Sequence, residues 1–213
     1  GMQDFSGVFN VDQQGGTFRF LKSKPVLDWP VSLGKPIPST LAGQLVWWKS
    51  GPDWVLAARD LNWQGAGLNI MLDSQIQFYH SKNAPMLNLA ARIAPFDFKT
   101  AKRFWLRNSM PDSSIRWLDM ALVKGQIRDA SIVMAGDLGR WPFTDKAGRF
   151  SARATILAEQ FKFAADWPEA QNAKLFTDFN GPGFTAIGTA SFLGNPIELK
   201  TSGIESFAKS DLK

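Results

Sequence analysis

Periodicity restricts the fold of this chain more than any other feature: apolar residues recur at every second position through most of its length, and at helical spacing in one clear place. Leu87, Leu89, Ala91 and Ile93 fall on one side of an extended segment, with Asn88 and Arg92 on the other. Phe150, Ala152, Ala154 and Ile156 alternate in the same way with Ser151, Arg153 and Thr155, and Ile197 to Thr201 repeats the pattern. Successive side chains of a strand point to opposite faces, so these runs predict a sheet with unequal sides. The exception is Asp112 to Lys124, where Ile115, Leu118 and Leu122 are spaced three and four apart beside Ala121, while Arg116, Asp119 and Lys124 point away. Asp112 or Ser113 is suited to cap that helix after Pro111, Lys124 suits its last turn, and Gly125 is expected to end it. A shorter helix is expected over Asp97 to Asn108, with Phe98, Ala101 and Trp105 on one side, so the two form a helical hairpin interrupting the sheet.

Turn residues divide the rest. Phe5 to Leu21 reads as two strands around a Gly15-Gly16 turn, and Pro25 to Pro38 as a proline-punctuated connector. Breaks at Lys49 to Asp53 and Gly65 to Gly67 then separate LAGQLVWW, WVLAARDLNW and LNIML. In the second half Ile127 to Ala135 runs into Gly136-Asp137-Leu138-Gly139, a strand follows Gly148, and Asn180 to Gly183 separates AKLFTDF from FTAIGTASFLG. Asp-Trp-Pro occurs twice, at Asp28-Trp29-Pro30 and Asp166-Trp167-Pro168, and each time is followed by strand, Gly/Pro turn and strand. These sites are expected to be corners at which proline ends pairing and tryptophan plugs the core. The pattern predicts a mainly β fold with a short helical hairpin, built from antiparallel meander repeats. Residues 1–96 form the first meander, 97–125 the helical insertion and 126–213 the second meander, in one continuous domain.

Groups suited to catalysis or metal binding are few. The absence of cysteine excludes disulfides, thiolate metal sites and cysteine nucleophiles, and is compatible with cytoplasm or periplasm. The sole histidine, His80, lies in a turn with Tyr79, Ser81 and Lys82 and is expected on the surface. Asp28, Asp60, Asp73, Asp137, Asp145, Asp166 and Asp178 sit mostly where strands end or turn, places at which aspartate accepts backbone hydrogen bonds. Gly136 to Gly139 lacks the lysine and helix start of a phosphate loop. No catalytic residue, metal or cofactor is expected. The net charge of +5 is scattered, with no dense Lys/Arg run, so nucleic acid is not the expected partner. A scattered positive excess suits anionic lipid head groups equally well. No apolar run reaches the roughly 18 residues that span a bilayer, and no signal peptide is visible. Gly1 before Met2 reads as a residue left by tag removal, so the chain is expected to be a piece of a longer protein.

Nine tryptophans are the compositional oddity, with Trp47, Trp48, Trp54 and Trp63 close together in sequence. Aromatic faces line acyl-chain grooves, stack on sugar rings, or fill cores. Leu45 to Trp48 and Trp54 to Leu61 read as apolar on both faces. Either helices cover one face while the other packs a second layer, or one face is an exposed hydrophobic groove.

The order of Trp117-Leu118, Ala121-Leu122, Gly125, Ile127, Gly136, Trp141-Pro142-Phe143, Gly148, Phe150 and Asp166-Trp167-Pro168 resembles the YhdP family of AsmA-like envelope proteins, of the AsmA/TamB-type bridge-like lipid transfer superfamily. The resemblance implies a strongly curved antiparallel sheet, a β-groove with a taco-like section and an apolar concave face. It implies a periplasmic segment of an inner-membrane-anchored protein that carries phospholipids toward the outer membrane and supports its barrier. Partners would be phospholipid acyl chains and flanking repeats of the parent chain, with membrane contact made through other parts of the parent. Candidate lipid-binding positions are Leu45, Trp47, Leu56, Leu68, Ile70, Leu87, Leu89, Ile132, Ala152, Ala154, Ile156 and Phe192. The alternative is a non-enzymatic carbohydrate-binding or structural β-scaffold module, and an enzyme ranks third.

Overall fold

The computed structural model describes residues 2–3, 6–28, 35–81, 83–104, 112–141, 143, 145–180 and 183–204. Its strands are β1 Met2–Gln3, β2 Ser6–Val11, β3 Gly15–Ser23, β4 Val26–Leu27, β5 Ile37–Ser50, β6 Asp53–Gly65, β7 Leu68–Phe78, β8 Met86–Ile93, β9 Phe96–Asp97, β10 Leu122–Asp137, β11 Gly148–Phe161, β12 Ala170–Asn180, β13 Gly183–Phe192 and β14 Asn195–Ile204. They form one open, curved sheet of 14 strands in which neighbours along the path from β5 to β14 pair antiparallel. The β2–β3 hairpin joins the outer side of β5, and β8 pairs directly with β10, so the sheet runs unbroken past the helical segment.

That segment contains α1, Phe98–Ala101, a 3-10 turn over Lys102–Phe104, and α2, Asp112–Ala121. Asp97 caps α1 by accepting the Thr100 N–H at 2.7 Å. The Lys102 ammonium donates to the Asp119 carbonyl at 2.7 Å, which ties the two helical pieces together. Trp105 and Pro111 lie outside the described residues. The second helix is shorter than its periodicity predicts: it ends at Ala121, because Leu122 already begins β10 opposite Phe161. Gly125 still has φ of +151°, but at an irregularity inside β10, where a side chain would collide with the Leu157 carbonyl oxygen of β11.

The packed core lies where this segment crosses the sheet. Phe98, Ala121 and Leu122 bury against Ala158, Phe161, Ala170, Ala173, Leu175 and Ala190. Alanines in β11, β12 and β13 leave room for Phe98 and the aromatic side chains to approach the backbone. The Trp117 indole donates to the Phe163 carbonyl at 3.0 Å and packs edge-on against Phe161, which fixes α2 to the β11–β12 connection.

Two turn assignments are corrected. The first hairpin turns at Asp12 to Gln14, where the Asp12 carboxylate accepts the N–H groups of Gln14 and Gly15. Gly15 and Gly16 are strand residues. A Cβ on either would strike Trp47 of β5, so glycine serves close approach there and not the turn. Trp167 does not plug a core: it is 58% exposed in its turn and leans on Phe192 at a ring distance of 6.1 Å. Trp29 and Pro30 of the other Asp-Trp-Pro lie outside the described residues.

Backbone approach and capping make two testable points. At Gly188, opposite Leu175, a Cβ would stand 1.9 Å from the Lys174 carbonyl oxygen. Gly188→Val is therefore expected to cost at least about 2 kcal/mol, the scale of a forced overpacking, measurable by urea unfolding. The Asp97 carboxyl is held below its ordinary value by hydrogen bonds from the Thr100 hydroxyl and backbone N–H. A depressed folded-state pKa contributes stability above the unfolded value and loses it as pH falls through the folded one. Asp97→Ala should therefore weaken the protein at neutral pH, by at most about 1 kcal/mol for so exposed a cap. The gap to the parent should close well below the ordinary carboxylate value of about 3.9.

Candidate ligand-binding face of the sheet

Paired residues of an antiparallel ladder share a face, so the register alone sorts every strand side chain onto one side or the other. One row runs Trp47, Leu56, Ile76, Leu87, Gly136 and Gly148 across β5, β6, β7, β8, β10 and β11. The next runs Phe18, Leu45, Ala58, Ser74, Leu89, Met134 and Phe150, with Phe9 beyond it on β2. A third joins Leu61, Leu72, Ala91, Ile132, Ala152 and Phe179, and a fourth Leu41, Trp63, Ile70, Ile93 and Ala130. Further along, Ile127, Ile156, Leu175, Gly188 and Leu199 continue the same side.

The opposite face is mainly polar over the same strands, with Met71, Val133, Phe176 and Ile187 as exposed apolar exceptions. Gln75, Asn88 and Arg149 share one row, and Asn62, Met71, Arg92, Ser131, Arg153 and Asp178 another. The two-sided apolarity read in Leu45 to Trp48 and Trp54 to Leu61 is local. Val46 pairs with Ala57 and Trp48 with Val55, which makes a small patch on the polar face in which Val55 and Ala57 are buried.

The twelve candidate positions all fall on the apolar side. Leu45, Trp47, Leu56, Leu87, Leu89, Ile70, Ile132 and Ala152 stand in the four rows, and Leu68 neighbours Ile70 on β7 after pairing with Gly65. Ala154 faces Thr177, while Ile156 and Phe192 pack against the core cluster under the helices. They are thus one surface in two environments. Ile156 and Phe192 are at the end roofed by α1 and α2, and Leu45, Trp47, Leu56, Leu87 and Leu89 lie toward the other end and are half-buried. Contacts of the helical segment with Trp63, through Phe104, fall at the roofed end as well. Of the four clustered tryptophans, Trp47, Trp54 and Trp63 share the apolar side and Trp48 does not.

Sequence reasoning missed the loop residue Phe143 of the Trp-Pro-Phe stretch, which is buried on this face against Gly136 and Gly148. Its only signal was an aromatic residue in a loop between two strands that each place a glycine at the same level.

Potential reactive groups are used structurally. His80 is exposed, and its backbone N–H donates to Asp53. Asp60 is in mid-strand, not at a strand end: it occupies an irregularity of β6 with φ of +47°, and its N–H donates to the Asp73 carboxylate at 3.0 Å. Asp178 pairs with Arg153 across β11 and β12 at 3.1 Å. Asp137 accepts from Gly139, and Asp145 from Ala147. Among the described residues no three His, Cys, Asp or Glu side chains gather as a metal site, and no helix is long and apolar enough to cross a membrane.

A sheet with one continuous apolar side is the context in which comparison becomes decisive. The family model described as YhdP protein matches residues 1–210. This chain belongs to the YhdP family. It is 26% identical over 103 residues to the intermembrane phospholipid transporter YhdP of Escherichia coli strain K12, a match covering 48% of this chain and 8% of that protein. The matched stretch is therefore a small part of that relative's length. No solved structure matches significantly.

The two faces should respond differently to substitution. Lys124 and Glu159 form an ion pair at 2.5 Å with side chains 66% and 61% exposed, so Lys124→Ala should change stability by less than about 0.5 kcal/mol. Ile132→Ala, in the third apolar row, should cost roughly 1–3 kcal/mol, less than the roughly 2–5 kcal/mol of a fully buried aliphatic truncation because the site is half-buried. Urea midpoints of the two variants provide the comparison.

Proposed function

We propose that this chain is a periplasmic segment of a longer, inner-membrane-anchored AsmA-like protein and that it handles phospholipids along the apolar face of its sheet. The observation that carries the reading is the register: twelve positions drawn from seven strands converge on one side, and helices roof only one end of it. An acyl chain lying along such rows is stabilised by about 25 cal/mol per Å² of apolar surface withdrawn from water. Nothing directional is required, so the surface favours chain length over chain identity and allows sliding along the strands.

No reaction is part of this role. Transport between membranes, named for the Escherichia coli relative, extends here to supply of the outer membrane and maintenance of its barrier. The two meander halves, 1–96 and 126–213, serve as one continuous unit around the insertion at 97–125. Flanking repeats of the parent chain extend the face beyond β2 and β14, and the membrane is reached through other parts of the parent.

Native mass spectrometry of the purified chain after incubation with phospholipid vesicles, followed by solvent extraction, tests this. Phospholipid adducts are expected, and Leu87→Asp or Leu89→Asp should abolish them while leaving the circular dichroism spectrum unchanged. These two residues lie outside the packed core, so a charge there interrupts the apolar face without unfolding the helical end. A clean ligand-free mass with every vesicle composition would sink the reading and leave a scaffold or glycan-binding module in its place.

A further inference from the structure

The first apolar row loses its side chains where it reaches the second half. Leu87 of β8 is followed by Gly136 of β10 and Gly148 of β11, which face each other directly. In that gap lies the ring of Phe143. A Cβ built on Gly136 would stand 2.8 Å from it and one on Gly148 2.4 Å, so the two glycines form a notch that the ring fills. Phe143 is 3% exposed although it belongs to a surface loop. Trp141 closes over it edge-on at 5.4 Å, and touches Phe150 of the second row at 5.2 Å.

Among its described residues, the loop that delivers Phe143 is tied to the β7–β8 connection by the Leu138 N–H, which donates to the Pro85 carbonyl at 2.9 Å, and is otherwise bonded to itself. The Phe143 N–H donates to the Arg140 carbonyl at 2.7 Å, and the Lys146 N–H to the Phe143 carbonyl at 3.1 Å. Asp145 accepts the Ala147 N–H and forms an ion pair with Arg140. Phe143 and Lys146 both have positive φ, +61° and +63°. Non-glycine residues hold that conformation only where surrounding structure imposes it. Among the described residues, the hold of Phe143 on the sheet is ring contact alone. Another apolar group could replace the ring there without leaving a polar atom unpaired.

We propose that the Gly136–Gly148 notch is an alkyl-chain subsite at the unroofed end of the apolar face, and that Phe143 occupies it as an internal stand-in for the ligand. This rests on the lipid-handling reading above. A chain entering the first row at this end must displace the ring, so apparent affinity is scaled down by the fraction of molecules in which the notch is open. The notch holds a single ring between two glycines, so it has room for one acyl tail.

Titration of the intact chain with a single-chain palmitoyl lysophospholipid, read by native mass spectrometry, tests the proposal. Phe143→Ala should bind about tenfold more tightly than the parent, as expected if the notch is vacant in roughly a tenth of molecules. Arg140→Ala, which frees Asp145 and loosens the loop without touching the apolar face, should shift affinity in the same direction and decides the matter should Phe143→Ala fail to fold. If the parent binds and the folded variants bind equally or less well, Phe143 is merely core and the proposal fails. If neither parent nor variants bind, the lipid-handling reading falls, and the subsite with it.

Discussion

The two-residue period of the extended backbone is the constraint on which the rest depends. A one-residue slip exchanges the faces of a strand, so a sheet this long keeps one side apolar only if every irregularity preserves the alternation. In β6 three residue steps separate Ala58 from Leu61 while two separate Ser74 from Leu72 on β7. The extra residue is absorbed in a bulge, and both Ala58 and Leu61 stay on the apolar side. The same device operates in β10, where Arg128 to Ser131 faces Thr155 to Arg153. Asp60 and Asp129 take the left-handed conformations these bulges need, at φ of +47° and +52°. Aspartate tolerates that region better than most residues. The Asp73 carboxylate then receives the N–H that the β6 bulge removes from the ladder.

Small residues supply the second condition. Glycine at 15, 16 and 188 lets adjoining strands and aromatic rings approach, and alanine in β11, β12 and β13 lets the helical segment sit down on one end. The consequence is an asymmetric surface from a uniform sheet: one end is closed by Phe98, Leu122 and Phe161, and toward the other Phe143 lies beneath Trp141.

Strand placement was largely legible in the sequence because its alternation is local. Leu87 to Ile93 and Phe150 to Ile156 occupy the faces that their spacing predicts, and α2 starts at Asp112, where its helical spacing begins. Family membership was legible too, through the order of its short motifs. What escaped depends on partners distant in sequence. Gly15-Gly16 resembles a turn until Trp47 is placed beside it, and Asp60 resembles a strand end until Asp73 is found to cap it. The apolar run around Trp54 to Leu61 is two-sided only where Val55 and Ala57 meet Trp48 and Val46 on the other face, a pairing that local sequence does not reveal. Phe143 could not be assigned to the face because nothing local says which way a loop folds back.

The direct pairing of β8 with β10 has a consequence for assembly. From β5 to β8, and again from β10 to β14, each strand meets the one that precedes it in the chain, and each junction closes only a short loop. Such contacts are entropically cheap and form early. β8 and β10 meet only after the excursion from Ala94 to Ala121 has been brought back on itself. The fold is therefore two quick zippers and one slow clasp, with the core of α1, α2 and β11 to β13 fastening behind the last.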